Sequence, residues 1–299
     1  MAPIFRTTQN SVTTNVVNNL QASLTRAGNI QAKLSSGKEV SKPSDNPVAT
    51  AAALRYRSDI KATEQHTRNA SDGIGWLGQA DTALQQTLDA VRRVKELALS
   101  GSTATSDADA RGALAAEAQQ LKGQVISLAN TSYLNRPIFA GTSAVTAGWD
   151  KDGNMLGDAA SMSKSIERTV APDVKIKINV DGPAVFGDSS TGLLKLLGDV
   201  ADHLSSDPSA LTADLDALDA AFTNVTNALS DVGARYNRIE AMQTRAEDAM
   251  VTLRGGLSEV EDIDLPKTVM DLQMQQVAYQ AALSATAKVI QPSLLDFLR

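Results

Sequence analysis

Between residues 211 and 260 large apolar side chains recur at alternating intervals of four and three: Leu211, Leu215, Leu218, Phe222, Val225, Leu229, Val232, Tyr236 and Ile239, then Ala246, Met250, Leu253, Leu257 and Val260. Gln243 breaks the series, with Met242 beside it. A repeat averaging 3.5 residues keeps one stripe on the same side of a helix, so a seam of about seven heptads predicts one long helix packed in coiled-coil fashion. Asp207 is placed to cap its start and Pro208 to take the first helical position, where a missing N–H costs nothing. Gly255-Gly256 is a candidate hinge, although the periodicity runs through it.

Two earlier segments repeat the pattern and are predicted as partner helices. One carries Leu77, Leu84, Leu88, Val91 and Leu97, beginning at Asn46-Pro47 and ending near Gly101. The other carries Leu114, Ala118, Leu121, Val125 and Leu128 and starts around Ser106-Asp107. The chain ends hold amphipathic stretches of their own: Val12, Val16, Leu20, Leu24, Ile30 and Leu34 at the front, and Val269, Leu272, Tyr279, Leu283, Ala287, Ile290, Leu294 and Phe297 at the back. These two stripes are expected to be mates. From 131 to 192 the pattern changes to Gly, Thr and Asp with short strands, clearest where Val174, Ile176, Ile178 and Val180 alternate with Lys175, Lys177 and Asn179 ahead of the turn pair Asp181-Gly182.

The order helices, β-rich middle, helices predicts a mainly α fold, a long antiparallel helical hairpin or coiled-coil rod with a small β-rich middle insert. Residues 1–45 with 265–299 form the expected terminal coiled coil, 46–130 with 193–264 a helical rod domain, and 131–192 the middle domain. A surface insert with its own turns is expected to tolerate replacement better than the helices. The terminal helices, taken singly, are marginal in water and are expected to be disordered in the isolated monomer.

Composition narrows the function. Aromatics make up 4% of 299 residues, a palette suited to long helices packed through small and aliphatic side chains. The formal charge is −6 and the 28 Lys and Arg are scattered, so no basic stripe tracks a phosphate backbone and nucleic acid is not an expected partner. The absence of cysteine removes disulfides, thiolate nucleophiles and cysteine-based zinc sites. Met1 to Asn10 holds one Arg and no apolar core of a secretory signal, and no apolar run approaches the ~18 residues of a membrane span, so neither a cleaved secretory signal nor membrane insertion is expected, and these facts taken alone would place the protein in the cytoplasm.

Candidate chemistry is thin. Gly73-Ile74-Gly75-Trp76-Leu77-Gly78 fits the G-x-G-x-x-G pattern, but Lys61 to Asp72 hold no buried strand, and the position about twenty residues on is Lys95 or Glu96 within a helix rather than an acid ending a second strand. The three glycines are instead expected to let another helix approach closely, at about 1 kcal/mol each in helix propensity. Asp150-Lys151-Asp152-Gly153-Asn154 has oxygen-bearing side chains at alternate positions, but Met155 stands where a calcium loop needs glycine and Ser161 where it needs a bidentate Glu, which favours a β-turn. His66 and His203 lie apart in helical patterns and are expected to be solvated surface residues, with no G-x-S-x-G elbow to make a triad. Trp76 and Trp149 are expected to pack. No catalytic residue, cofactor or metal ligand is assigned.

Three stretches carry a family resemblance. Leu34-Ser35-Ser36-Gly37-Lys38 followed by Ser41-Lys42-Pro43-Ser44-Asp45-Asn46-Pro47 resembles the end of the first helix and the next turn in bacterial flagellins and hook-associated proteins. Flagellins typically carry lysine-aspartate-aspartate-alanine there, whereas the present turn is similar to the hook-associated protein 3 branch. Arg136-Pro137-Ile138-Phe139-Ala140-Gly141-Thr142 resembles the segment with which that branch enters its middle domain, and Gln273 to Ala287 with Ser293-Leu294-Leu295-Asp296-Phe297-Leu298 is similar to the family's terminus. The matching stretches cover about residues 6–142 and 208–299; the opening Met1-Ala2-Pro3-Ile4-Phe5-Arg6 is longer than the family's usual Met-Arg.

The resemblance implies a flagellin-like fold and a structural, non-enzymatic junction subunit joining the hook, through another hook-associated protein, to the flagellin filament. It implies export unfolded through the flagellum's own type III channel with the help of an export chaperone, and assembly with copies of itself in a ring. Subunit assembly would fall to Val12, Val16, Leu20, Leu24, Ile30 and Leu34 in the first stripe and to Val269, Leu272, Leu283, Ile290, Leu294 and Phe297 in the last. The alternatives are a short flagellin that forms the filament itself and, remotely, a soluble nucleotide-binding enzyme; a secreted translocator is weakened by the lack of a long apolar hairpin.

Overall fold

The structure, a computed structural model, describes residues 9–103 and 107–290, with side chains from 14 to 287 in that range. The elements in chain order are α1 (Gln9–Ser36), α2 (Pro47–Gly101), α3 (Ala108–Ala129), β1 (Ser132–Tyr133), β2 (Arg136–Pro137), α4 (Ala159–Met162), β3 (Glu167–Ala171), β4 (Val174–Lys177), α5 (Gly182–Phe186), α6 (Gly192–Ser206), a 3-10 turn (Pro208–Ala210), α7 (Leu211–Glu261) and α8 (Leu265–Ile290). The predicted helix starts hold: Asp107 caps α3, and the Asp207 carboxylate accepts from the Ser209 N–H at the turn that leads into α7.

The chain forms two compact units, Met1–Lys61 with Val251–Arg299 and Ala62–Met250. These limits fall inside α2 and α7 rather than at the expected boundaries near 45 and 265, and they do not set 131–192 apart. The reason is the packing within the second unit. Along α7 every seventh side chain, Leu211, Leu218, Val225, Val232, Ile239 and Ala246, is buried, while Leu215, Phe222, Leu229 and Tyr236 between them are half-buried. That is the seam the sequence spells, and α2 is its antiparallel partner here. Ile239 lies against Gly73, the Arg92 guanidinium sits 5.2 Å from the centre of the Phe222 ring, and Lys95 is ion-paired to Asp219. On their other side α3 and α6 pack together through Ala118, Val125, Leu194, Leu197 and Val200.

The β-rich insert belongs to the same core. Ile138, Phe139, Trp149, Met162, Ile178 and Phe186 are fully buried in one cluster with residues of α2, α3, α6 and α7. Phe139 and Trp149 meet the Phe186 ring edge-on at 4.9 and 5.5 Å, and the Trp149 indole N–H donates to the Gly187 carbonyl at 2.7 Å. Asn130, just after α3, accepts from the Gly148 and Trp149 N–H groups and donates to the Trp149 carbonyl. The expectation of a replaceable surface insert is therefore corrected, because removing 131–192 would empty the centre of the unit.

Strand details differ too. β3 and β4 turn at Pro172-Asp173, with Asp173 at φ +59°, and not at Asp181-Gly182. The Asp181 carboxylate caps α5 by accepting from the Ala184 N–H, and Gly182 is needed because a Cβ there would strike the Phe139 carbonyl and the Trp149 ring. Asn179, expected on the polar face with Lys175 and Lys177, is buried: it accepts from the Ile166 N–H at 2.7 Å and donates to the Lys164 carbonyl at 3.0 Å. A buried amide with both ends satisfied can replace a missing ladder hydrogen bond where β4 has ended.

Candidate assembly site at the paired chain ends

α1 breaks at Gly37, which takes φ +71°, and the chain pairs briefly with the end of α7: the Glu39 N–H donates to the Glu261 carbonyl and the Ile263 N–H to the Gly37 carbonyl. The turn expected at 42–47 follows, held by hydrogen bonds of Lys42, Asp45 and Asn46. The Asp45 N–H donates to the Lys42 carbonyl, closing the turn over Pro43 and Ser44, while the Asp45 carboxylate accepts from the Lys42 N–H at 3.0 Å and from the Ser41 hydroxyl at 3.3 Å. The hydrogen bond from the Lys42 N–H is the main cause holding the Asp45 carboxyl below its ordinary range. The Asn46 amide oxygen accepts from the Ala49 N–H, capping α2, and Pro47 fills the first helical position.

Beside this turn lies a group the sequence reading did not single out. Glu261, the last residue of α7, has a side chain only 5% exposed, and it takes ion pairs from Lys38 and, at 2.5 Å, from Arg57 of α2. One buried carboxylate thus ties three elements of this unit. A carboxylate removed from water in this way is tolerated because charged donors replace its hydration. The sequence offered no signal for it, because Glu261 sits in an acidic stretch with Glu259, Asp262 and Asp264 and nothing in that stretch sets it apart. Close by, Gly256 abuts the Tyr56 ring at 2.8 Å from where a Cβ would sit, and α7 runs unbroken to Glu261. Gly255-Gly256 is therefore a close-approach site within a continuous helix and not a hinge.

α1 and α8 pack antiparallel along a heptad seam. On α1 the inward positions are Val16, Leu20, Ser23, Ala27, Ile30 and Leu34; on α8 they are Thr268, Leu272, Gln275, Tyr279, Ala282 and Thr286. The Gln275 amide donates to the Ser23 hydroxyl at 2.6 Å and to its carbonyl at 3.2 Å, which fixes the register. Of the predicted assembly residues, Val16, Leu20, Ile30, Leu34, Val269 and Leu272 lie half-buried in or beside this seam. Leu24 and Leu283 do not join it, being 55% and 43% exposed on outer faces; Ala287 is exposed too. Leu294 and Phe297 lie outside the described residues, as do the side chains of Val12 and Ile290. The true seam steps through small and polar residues, so picking only large apolar side chains missed Ser23, Ala27 and Gln275, whereas counting in fours and threes from Val16 finds the α1 members. A second apolar row on α8, Met270, Met274 and Val277, faces solvent.

The other singled-out residues have structural roles. Gly73, Gly75 and Gly78 lie inside α2; a Cβ on Gly73 would meet Ile239 of α7 and one on Gly75 the Tyr133 ring, while Gly78 has open space. Helix approach thus explains the first, an aromatic of β1 the second and neither the third. Asp150 accepts from the Asp152 and Asn154 N–H groups and the Asn154 side-chain amide, and the last of these leads in holding its carboxyl low. Among the described residues no three His, Asp or Glu side chains converge as a metal site. Neither histidine is simply solvated: His66 Nδ1 lies 3.3 Å from the Thr169 carbonyl, and His203 Nδ1 lies 2.6 Å from the buried Asp214 carboxylate, whose hydrogen bond raises the imidazole pKa. Trp76 and Trp149 are both buried. Gly141, in the segment 136–142, takes φ +54° with Met162 and Ser161 carbonyls where a Cβ would sit, so only glycine fits there.

Comparison with known proteins agrees with this architecture. The bacterial flagellin N-terminal helical region matches residues 7–144, and the C-terminal helical region matches residues 215–298. Flagellar hook-associated protein 3 of Escherichia coli is 26% identical over 275 residues, covering 85% of this chain and 87% of that protein. The flagellar filament 33 kDa core protein of Treponema phagedenis is 25% identical over 269 residues, with 89% and 90% covered. Among solved structures, a putative flagellar hook-associated protein from Vibrio parahaemolyticus superposes with a TM-score of 0.65 at 18% identity, covering 73% of this chain and all of that one. FlgL of Bacillus cereus gives 0.60 at 22%, with 68% and 99% covered. With both helical regions matched across most of its length, the chain belongs to the bacterial flagellin family.

Proposed function

We propose that this chain is the hook-associated protein 3 type of flagellin-family subunit, a structural and non-enzymatic piece that joins the hook, through another hook-associated protein, to the flagellin filament. The observation that carries an assembly role is the unequal use of apolar surface at the chain ends. α1 and α8 close a narrow seam on each other and leave Val17, Leu24, Met270, Met274, Val277 and Leu283 facing solvent. Exposed apolar rows flanking a paired seam fit burial against neighbouring copies, and identical copies related by a rotation close into a ring. The junction branch is favoured by the turn at 42–47 and by the likeness of fold to hook-associated structures. Such a subunit travels unfolded through the flagellar export channel, guided by a chaperone, and works outside the cell.

A short flagellin is the second reading, favoured by the near-equal identity to filament proteins, 25% against 26% for hook-associated protein 3. Labelling the chain on intact flagella separates the two. The junction reading expects label confined to the hook–filament boundary; label along the filament, or long filaments from the purified chain alone, would favour the flagellin reading.

A further inference from the structure

β3 and β4 pair only with each other, so each strand has one edge facing away from its partner. Backbone alternation fixes which groups lie on those edges. The Ile178 N–H donates to the Ile166 carbonyl at 2.8 Å, and Ile176 stands opposite Arg168 in the same register, so residues 176 and 178 are the ones that exchange ladder hydrogen bonds with the β3 side. The N–H and C=O groups of Lys175 and Lys177 therefore point outward, as do those of their opposite numbers Thr169 and Glu167. The β3 edge is closed within the chain: the Thr169 carbonyl accepts from the Asn69 side-chain amide at 2.8 Å and lies 3.3 Å from His66 Nδ1, both on α2. The β4 edge is open. Among the described residues nothing bonds to the outward groups of Lys175 or Lys177, and a groove of about 370 Å³ lies between β4 and α7, its far wall made by Asp231, Ala234, Arg235 and Arg238.

The charge of the groove runs against that of its surroundings. Residues 62–250 carry 16 Lys and Arg against 25 Asp and Glu, a net charge of −9, yet the groove collects four cations and one acid. Arg235 is ion-paired to that acid, Asp231, and donates to the Asn179 carbonyl. Lys175, Lys177 and Arg238 have no ion pair among the described residues, although Glu167 stands opposite Lys177. The two lysines share one face of β4, about 7 Å apart along the strand, with Ile176 buried on the other. Like charges repel across a strand pair and opposite charges attract, so lysines on an open edge keep basic strands off it and favour an acidic one. We infer that the β4 edge binds an extended acidic segment of another protein, which adds as a third strand with acids at alternate positions against Lys175 and Lys177 and with Arg238 on the far wall. The described residues of a second copy offer no such segment: Asp262-Ile263-Asp264 is already tied to Gly37 and Lys38 of its own chain, and Asp150-Lys151-Asp152 is folded into a turn. A sulfated or phosphorylated glycan fits less well, since it has no alternating N–H and C=O groups to complement the strand edge. The inference uses neither the terminal helices nor the family resemblance, so it stands or falls apart from the flagellar reading.

The test uses the purified full chain and a short end-capped peptide of alternating glutamate and threonine, with binding read by calorimetry at low salt and the edge read by amide exchange. The expected result is saturable binding that slows exchange at the Lys175 and Lys177 N–H groups and leaves Ile176, already in the ladder, unchanged. Changing Lys175→Glu together with Lys177→Glu should weaken binding about tenfold or more, and so should N-methylating the peptide throughout, which removes its donors but not its charge. Circular dichroism of the double variant should match the wild type, because neither lysine is buried. No saturable binding, or an N-methylated peptide that binds as well as its parent, would overturn the inference. So would a heparin oligosaccharide that binds more tightly than the peptide and is lost in the same double variant, which would make the patch a polyanion site. Self-association of the chain that the peptide competes away would give the edge to a second copy, and would overturn it too.

Discussion

The two units use the same heptad grammar to different ends. In residues 62–250 the repeat closes on large side chains, and Leu77, Leu84, Leu194, Leu197, Leu211 and Phe186 are all fully buried. Along the α1–α8 pair the repeat closes on Ser23 and Thr268, and Val16, Leu20, Ile30, Leu34, Leu272 and Tyr279 stay half-exposed. The first pattern makes a unit that can hold itself together. The second makes a pair whose apolar surface is only partly used inside one chain, which suits helices that finish folding against neighbours. Ordering a residue costs about 1–2 kcal/mol of backbone entropy, and a seam of small and polar side chains returns little of it through burial.

The sharpest way to break this contrast is in the self-contained unit. Trp149→Ala or Phe186→Ala should each destabilise residues 62–250 by about 3–5 kcal/mol, because a large buried ring is lost and the cavity cannot collapse; chemical denaturation measures it. A loss under 1 kcal/mol would mean that the insert is peripheral after all. On the outer face of α8 the expectation reverses. Met274, 65% exposed, changed to Asp should leave monomer melting unchanged but remove about 1.5–3 kcal/mol per copy from assembly, seen as secreted chain that fails to join flagella. Lower monomer stability with normal incorporation would place that face in a private core.

Glu261→Gln should weaken the terminal unit by about 1–3 kcal/mol, since Lys38 and Arg57 lose their charged acceptor while staying partly hydrated. Faster amide exchange in residues 30–57 and 255–270, with the core of 62–250 unchanged, would show it. The smallest effect belongs to His203. Its pKa is raised chiefly by the hydrogen bond to Asp214, so the stabilisation it gives the α6–α7 joint is full below the ordinary histidine range and fades as pH rises through the raised value. His203→Gln should therefore cost more stability at pH 5 than at pH 9; an equal cost at both would show that charge is not involved.

How far the sequence could be read follows the same division. Where the repeat is written in Leu, Val, Ile and Phe, as in α7, both the helix and its buried face were legible, and the caps at Asp107, Asn46 and Asp207 fixed the starts. Where the seam passes through Ser23, Ala27, Gln275 and Ala282, hydrophobicity alone pointed to Leu24 and Leu283, one residue aside and so about 100° round the helix. The insert misled for another reason. Its Gly- and Asp-rich spelling looks like surface loop, but Gly141 and Gly182 are there because carbonyls and rings press against them, which is a property of packing partners distant in sequence. Glu261 carried no sequence signal, because its partners Lys38 and Arg57 come from the other end of the chain.

Amide hydrogen exchange on the purified full-length monomer tests the central contrast most directly, with α1 and α8 compared against residues 70–101 and 211–246. The account predicts that backbone amides in 14–34 and 268–286 exchange orders of magnitude faster than those beneath Leu84, Leu197 and Val225, and that the gap narrows once the chain is in the flagellum. Equal protection of the two regions in the monomer would contradict it, since the α1–α8 pair would then be a finished structure with no need of neighbours.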